Sequence, residues 1–145
     1  MYKFKQSSDT YVVSIDNHQE VAAALTAFCA EQSIRAGEIH GLGAVCEATL
    51  RFLDPVTKQY VDKTFREQME VSNLVGNISE KDGKVYLHLH ATLCRADYSV
   101  VGGHLLSAVL NGAFELVVRK IDLELGRRFD AETGLNLYDF QDDPN

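Results

Sequence analysis

Two hydrophobic periods divide the chain. Val21, Ala24, Leu25, Phe28 and Cys29 recur at i, i+3, i+4, i+7 and i+8, one apolar stripe on a helix. Asn17 followed by Glu20 fits an N-cap with its acidic partner, and Gly37 beyond the stripe is placed to help end the helix. This predicts a long helix in the N-terminal half. Elsewhere the period is two. Tyr11–Ile15 is short and β-branched, and Val45–Leu53 sets Cys46, Ala48, Leu50 and Phe52 against Glu47, Thr49 and Arg51. Asp54-Pro55 begins a turn and Gln59–Phe65 returns, a predicted hairpin. Met69–Ile78 is a further apolar-rich run, Glu80–Gly83 a turn, and Lys84–Cys94 the most regular strand. Phe114–Leu125 predicts one more strand, with Phe114, Leu116 and Val118 on one face.

One helix and strands that do not alternate as βαβ predict an α+β fold, a mainly antiparallel sheet with the helix packed on it. No linker, repeat or low-complexity segment interrupts the chain, so one domain is expected over residues 1–140. From Gly126 the sequence turns polar, and residues 141–145 read as a loose acidic tail.

The chain has 145 residues, 46% hydrophobic and 24% charged. This excludes a disordered or fibrous protein and allows a core without disulfide staples. Fourteen basic and 21 acidic residues give a net charge of −7, which disfavours direct DNA binding and a polybasic membrane anchor. No apolar run is long enough to span a membrane, and the N-terminus lacks the apolar core of a signal peptide. Cys29, Cys46 and Cys94 are widely spaced, with no Cys-x-x-Cys, as free buried thiols would be. A soluble cytoplasmic protein is expected.

Chemistry concentrates on the Lys84–Cys94 strand. Side chains alternate across a strand, so Val85, Leu87, Leu89, Ala91 and Leu93 face the core, with Tyr86, His88, His90, Thr92 and Cys94 on the other face. Two imidazoles at i, i+2 have Cα atoms about 6.5–7 Å apart, close enough to converge on one metal. Val101-Gly102-Gly103-His104-Leu105 follows, with a histidine straight after a glycine pair. If that segment folds back over the His-bearing face, His88, His90 and His104 form a three-histidine set. Three neutral imidazoles suit Zn²⁺ and leave a coordination position open. Spacing alone leaves two blander readings open: exposed strand histidines, or a hydrogen-bonded cluster beneath the glycine turn.

The remaining candidates have plain explanations. His18 falls in the expected first helical turn and His40 in an expected loop before Gly41-Leu42-Gly43. That glycine pair lacks the third glycine of a dinucleotide fingerprint, no P-loop is present, and no nucleophile elbow surrounds Ser99 or Ser107. Cys94 reads as a packed thiol before a ligand. Arg119-Lys120 and Arg127-Arg128 read as solvated basic pairs. Glu115, in an otherwise apolar strand, is a candidate proton acceptor, with Glu47 and Glu70 similarly placed.

In this order, MEVSNLVGNIS, VYLHLHATL, VGGHLLSAVL and FELVVRKID resemble the plants-and-prokaryotes conserved (PPC) domain. The earlier GLGAVCEATLRFLD matches that family's Gly-x-Gly-Ala strand start. The resemblance spans Tyr11 to Phe140, and its most specific feature is His-x-His combined with Gly-Gly-His-Leu. It implies a compact α+β fold, distantly similar to acetolactate decarboxylase. It implies a homotrimer of the stand-alone prokaryotic type, with a metal, usually zinc, on His88, His90 and His104. In plants the domain accompanies an AT-hook in transcription-related proteins. This sequence has no Arg-Gly-Arg core, so a DNA-binding label is inherited with the family. Two functions stand against each other. One is a trimeric metal-site protein that binds or acts on a small molecule, with the reaction open. The other is a self-associating regulatory module that reaches DNA through partner proteins and uses its histidines structurally.

Overall fold

The computed structural model describes residues 1–140; the acidic tail expected at 141–145 lies outside them. The elements run β1 (Tyr2–Ser7), β2 (Thr10–Ile15), α1 (Val21–Glu31), β3 (Gly37–Asp54), β4 (Gln59–Phe65), β5 (Met69–Lys81), β6 (Lys84–Cys94), β7 (Val100–Lys120), β8 (Gly126–Asp130) and β9 (Leu135–Asp139). Seven strands form one antiparallel sheet in the order β1-β2-β7-β6-β5-β3-β4, and β7 also pairs with β3. That extra pairing closes β3, β5, β6 and β7 into a ring. β8 and β9 form a separate hairpin.

Closure depends on the two longest strands bending. β3 and β7 shift register against each other at Gly43/Val45, Val45/Glu47 and Thr49/Leu50. Each bulge adds local twist and lets a strand curl. The bulges also reset the alternation along β7: Leu105 is buried, then Ala108 and Leu110, then Phe114, Leu116 and Val118. At the start of β3 the backbones come too close for side chains. A Cβ on Gly37 would lie 2.4 Å from the Arg119 carbonyl oxygen, and one on Gly43 would lie 2.4 Å from that of Ala113.

The helix is shorter than expected, 11 residues. It packs Val21, Ala24, Leu25, Phe28 and Cys29 into the core, the stripe read from the sequence. Its caps differ from the reading. Glu20, not Asn17, is the N-cap: its carboxylate accepts from the Ala22 and Ala23 amides and from the Ala108 amide of β7. Asn17 instead accepts from the Gly112 amide. At the other end Ser33 takes a left-handed φ of 52° and the Ile34 amide donates to the Cys29 carbonyl, so the helix stops before Gly37, which opens β3. His18 precedes the helix in an exposed left-handed turn rather than lying in its first turn.

One strand goes beyond those expected, and three expectations are corrected. Tyr2–Ser7 pairs along β2 as an edge strand. His40 lies in β3, exposed, 3.8 Å from the Glu38 carboxylate, and not in a loop. The Gly-Gly-His segment is the start of β7, and Leu125 lies beyond that strand's end. No helix of the described residues is long and apolar enough to cross a membrane.

Candidate metal centre

β6 places its side chains as the alternation predicts: Leu89, Ala91 and Leu93 are buried, while His88 and His90 stand on the opposite face. β6 and β7 form a hairpin whose register puts His104 directly across from His90 and Gly103 across from Ala91. On the other side of β7, His104 pairs with Arg51 of β3. A regular sheet, not a loop folding over, therefore brings the three imidazoles together. Their ring centroids are 5.2 Å (His88–His90), 5.1 Å (His88–His104) and 5.4 Å (His90–His104) apart, and one nitrogen from each lies within 4.8 Å of the others.

Electrostatics suit a cation ligand set. Burial, followed by the neighbouring His88 and His90, pushes the His104 imidazole down to about 4. Burial, then His90, then the Arg127 guanidinium, also lowers His88. Both therefore carry a free lone pair at neutral pH, the form a metal requires. The donor type fits zinc: three imidazole nitrogens on one face, with the fourth side open to a cavity.

That cavity, of about 350 Å³, is lined by five parts of the chain, β7 among them through Gly103 and His104. β3 contributes Arg51, Phe52 and Leu53, and β4 contributes Tyr60. Tyr86 stands on the histidine strand, and the β8–β9 hairpin brings Arg127, Leu135, Asn136 and Leu137. Arg51 is held by two hydrogen bonds to Asp62, 2.9 and 2.8 Å, and lies over the Tyr60 ring. Arg127 is half-buried, against the expectation of a solvated basic pair; Arg128 is exposed. The expected polar stretch after Gly126 is thus a hairpin that covers one side of the site. Only tertiary contact reveals this, since its short strands carry no long apolar run. Tyr86 was legible, because it shares the histidine face of β6.

Glu115 is elsewhere. It lies on the outer face of β7 and lines a separate open groove with His40, Leu42 and Val117. Glu47 pairs with Arg66, and Cys94 is a free thiol at the far end of β6 from Tyr86.

The comparisons agree with this architecture. The sequence matches the Plants and Prokaryotes Conserved (PCC) domain over residues 2–122. A candidate DNA-binding protein from Bacteroides thetaiotaomicron is similar at 55% identity and a TM-score of 0.95, covering 97% of this chain and 99% of its own. A metal-containing protein from Archaeoglobus fulgidus is similar at 32% identity and a TM-score of 0.84, covering 95% of this chain and 97% of its own. Alpha-acetolactate decarboxylase from Bacillus subtilis shares the fold alone, at 14% identity and a TM-score of 0.55 over 84% of this chain and 57% of its own. None of the curated proteins compared with the chain matches it. The chain belongs to the plants-and-prokaryotes conserved domain family.

Proposed function

We propose that this protein is a homotrimer that holds a zinc ion on His88, His90 and His104 and binds, or acts on, a small molecule in the cavity above them. The observation that carries the reading is the convergence of three imidazoles, two of them held neutral, on the floor of a cavity of about 350 Å³, within the range of small-molecule sites. The metal-containing relative, 32% identical, supports it. When bound, the metal supplies a Lewis-acid centre with a free coordination position. Copper and nickel would compete for the same nitrogens by intrinsic affinity, so zinc is the assignment that the donor set and metal availability favour together.

Self-association has its own support. Val12 of β2 lies across from Val117 of β7, which lies across from His40 of β3. Val12 is 59% exposed, and Leu42, two residues along β3 from His40, is 57% exposed. A row of exposed apolar side chains on a sheet face is a surface that a second copy would cover.

Cobalt substitution tests the metal reading. Co²⁺ added to tag-free protein should give the intense visible bands of a four-coordinate nitrogen site, lost in His90→Ala. Weak bands typical of the hexa-aqua ion, unchanged in the variant, would remove it. Light scattering gives the subunit number.

A second reading follows from the relative named for DNA binding: a regulatory association module. Its direct form predicts duplex binding that weakens steeply with salt. With a charge of −7 we expect no retardation of duplex DNA even at low salt, which would leave only an indirect role through partners.

A further inference from the structure

We propose that Arg127, carried into the histidine cavity by the β8–β9 hairpin, anchors the carboxylate of a small organic acid there. The inference deepens the metal-site reading and rests on it for the ligand's second point of contact.

Arg127 is held by three hydrogen bonds and two aromatic rings. Its Nε donates to the Ser79 hydroxyl at 2.7 Å, one Nη to the Asn136 carbonyl at 2.7 Å, and the other Nη to the Asn77 side-chain oxygen at 2.9 Å. The Tyr86 and Tyr138 rings stack against the guanidinium at 4.7 and 4.3 Å. All three acceptors are neutral, so none of them cancels its charge. A guanidinium has five N–H donors, so two remain after these bonds. The group is fixed, half-buried and still fully cationic.

Arg51, on another wall of the same cavity, makes the contrast. Asp62 takes its charge through a two-pronged pair. The cavity thus has one matched and one unmatched arginine, and the unmatched one lines it together with His88, His90 and His104. A rigid guanidinium with donors to spare is suited to a planar carboxylate. Phe52, Leu53, Leu135 and Leu137 complete the walls and suit an apolar body behind the acid group. The ligand class is a small carboxylic acid whose head reaches Arg127 while another donor atom faces the histidines.

The family match ends at residue 122, and the hairpin begins at Gly126. The histidines lie within that match and Arg127 just after it, in a region that the solved relatives at 55% and 32% identity, covering 97% and 95% of this chain, also span. Ser79 is fully buried and donates to the Tyr86 carbonyl, and the Glu80 amide donates to the Leu125 carbonyl; these fix the hairpin on β5.

The test uses lactate as the acid probe and lactamide as its uncharged counterpart, with zinc content measured on every sample. Zinc-loaded protein should bind lactate about tenfold or more tightly than lactamide, a difference of about 1.4 kcal/mol or more. Arg127→Gln should keep its zinc and lose the preference. Arg127→Lys, which keeps the charge without the planar fork, should retain part of it, and a merely structural role would not separate these two variants by the charge of the probe. An unchanged preference in zinc-replete Arg127→Gln would overturn the proposal. So would wild-type protein with no preference, or with no binding of lactate at tens of millimolar. Failure of the metal reading is a separate result, absence of zinc from wild-type protein. The Arg127 Nε–H resonance in metal-free protein then still decides the anchor: it should shift with lactate and not with lactamide, and a resonance indifferent to both would overturn the proposal.

Discussion

His90 and His104 stand directly opposite each other on neighbouring antiparallel strands, with ring centroids 5.4 Å apart. Strand register therefore sets the site. Because side chains alternate with a period of two, a one-residue slip of β7 against β6 would turn His104 to the core and bring Leu105 out. The third imidazole, His88, lies two residues along β6 and faces Asn77 of β5, so the site depends on three adjacent strands holding their spacing.

Gly76 guards that spacing. A Cβ there would lie 2.5 Å from the Leu89 side chain and 2.6 Å from the His88 carbonyl oxygen, so Gly76→Ala must push β5 and β6 apart beside a histidine. Overpacking of this kind costs about 1–3 kcal/mol. The expected outcome is a lower denaturant midpoint together with weaker Co²⁺ binding. Unchanged metal affinity would show that the histidines tolerate strand displacement.

Glu20 joins helix to sheet through one carboxylate, which caps Ala22 and Ala23 and accepts from Ala108 of β7. Replacement by alanine removes the cap and leaves donors unpartnered, a loss of about 2 kcal/mol. Glu20→Gln keeps an acceptor and should cost less. Equilibrium urea unfolding of both variants checks the order.

Phe28 is the centre of an aromatic cluster. Its ring meets Tyr2, Phe4 and Tyr11 edge-on at 5.4, 5.4 and 5.5 Å, and the side chain is fully buried. Phe28→Ala should lower stability by about 3–5 kcal/mol. Hydrogen exchange should show that the loss reaches β1, which otherwise contacts the sheet only through β2 in the strand order.

Burial pushes the Cys29 thiol up from its ordinary 9.0 to about 12. Between those values the unfolded chain has released the proton and the folded chain still holds it. Fewer protons bound in the unfolded state make stability fall as pH rises. The contribution is fully present below pH 9 and is lost progressively toward pH 12. Tyr2 is also raised to about 12, by burial and then by its hydrogen bond to Glu31, and acts in the same direction. Cys29→Ala should therefore show a shallower alkaline decline than wild type, measured as denaturant midpoint against pH. Parallel declines would mean that the thiol ionises in the folded state.

The parts of the fold visible in the sequence are those where one period runs unbroken. The α1 stripe and the two faces of β6 are such cases, and the histidine face of β6 led to the site. β7 was harder, because its bulges reset the alternation between Leu105 and Phe114. Residues 37–43 of β3 carry no strand pattern, because Gly37 fits a helix end and His40 before Gly41-Leu42-Gly43 fits a loop, although those glycines are what a strand needs where β7 crosses too close for a Cβ. β1 carries Lys3, Lys5 and Gln6 on an exposed edge, with Tyr2 and Phe4 as its inward contacts, too weak a pattern to stand alone. Arg127 was hidden differently. Nothing next to it in sequence distinguishes it from Arg128; the distinction comes from Ser79, Asn77 and Tyr86, on β5 and β6, far away in the chain.

The most direct test of the metal centre is elemental analysis of tag-free protein, beside a His104→Ala variant, after zinc is supplied and the excess removed. The account predicts stoichiometric zinc in wild type and its loss from a variant that remains folded by circular dichroism. No bound metal in wild type, or equal zinc in both proteins, would contradict it and leave the three histidines as a cluster that only packs.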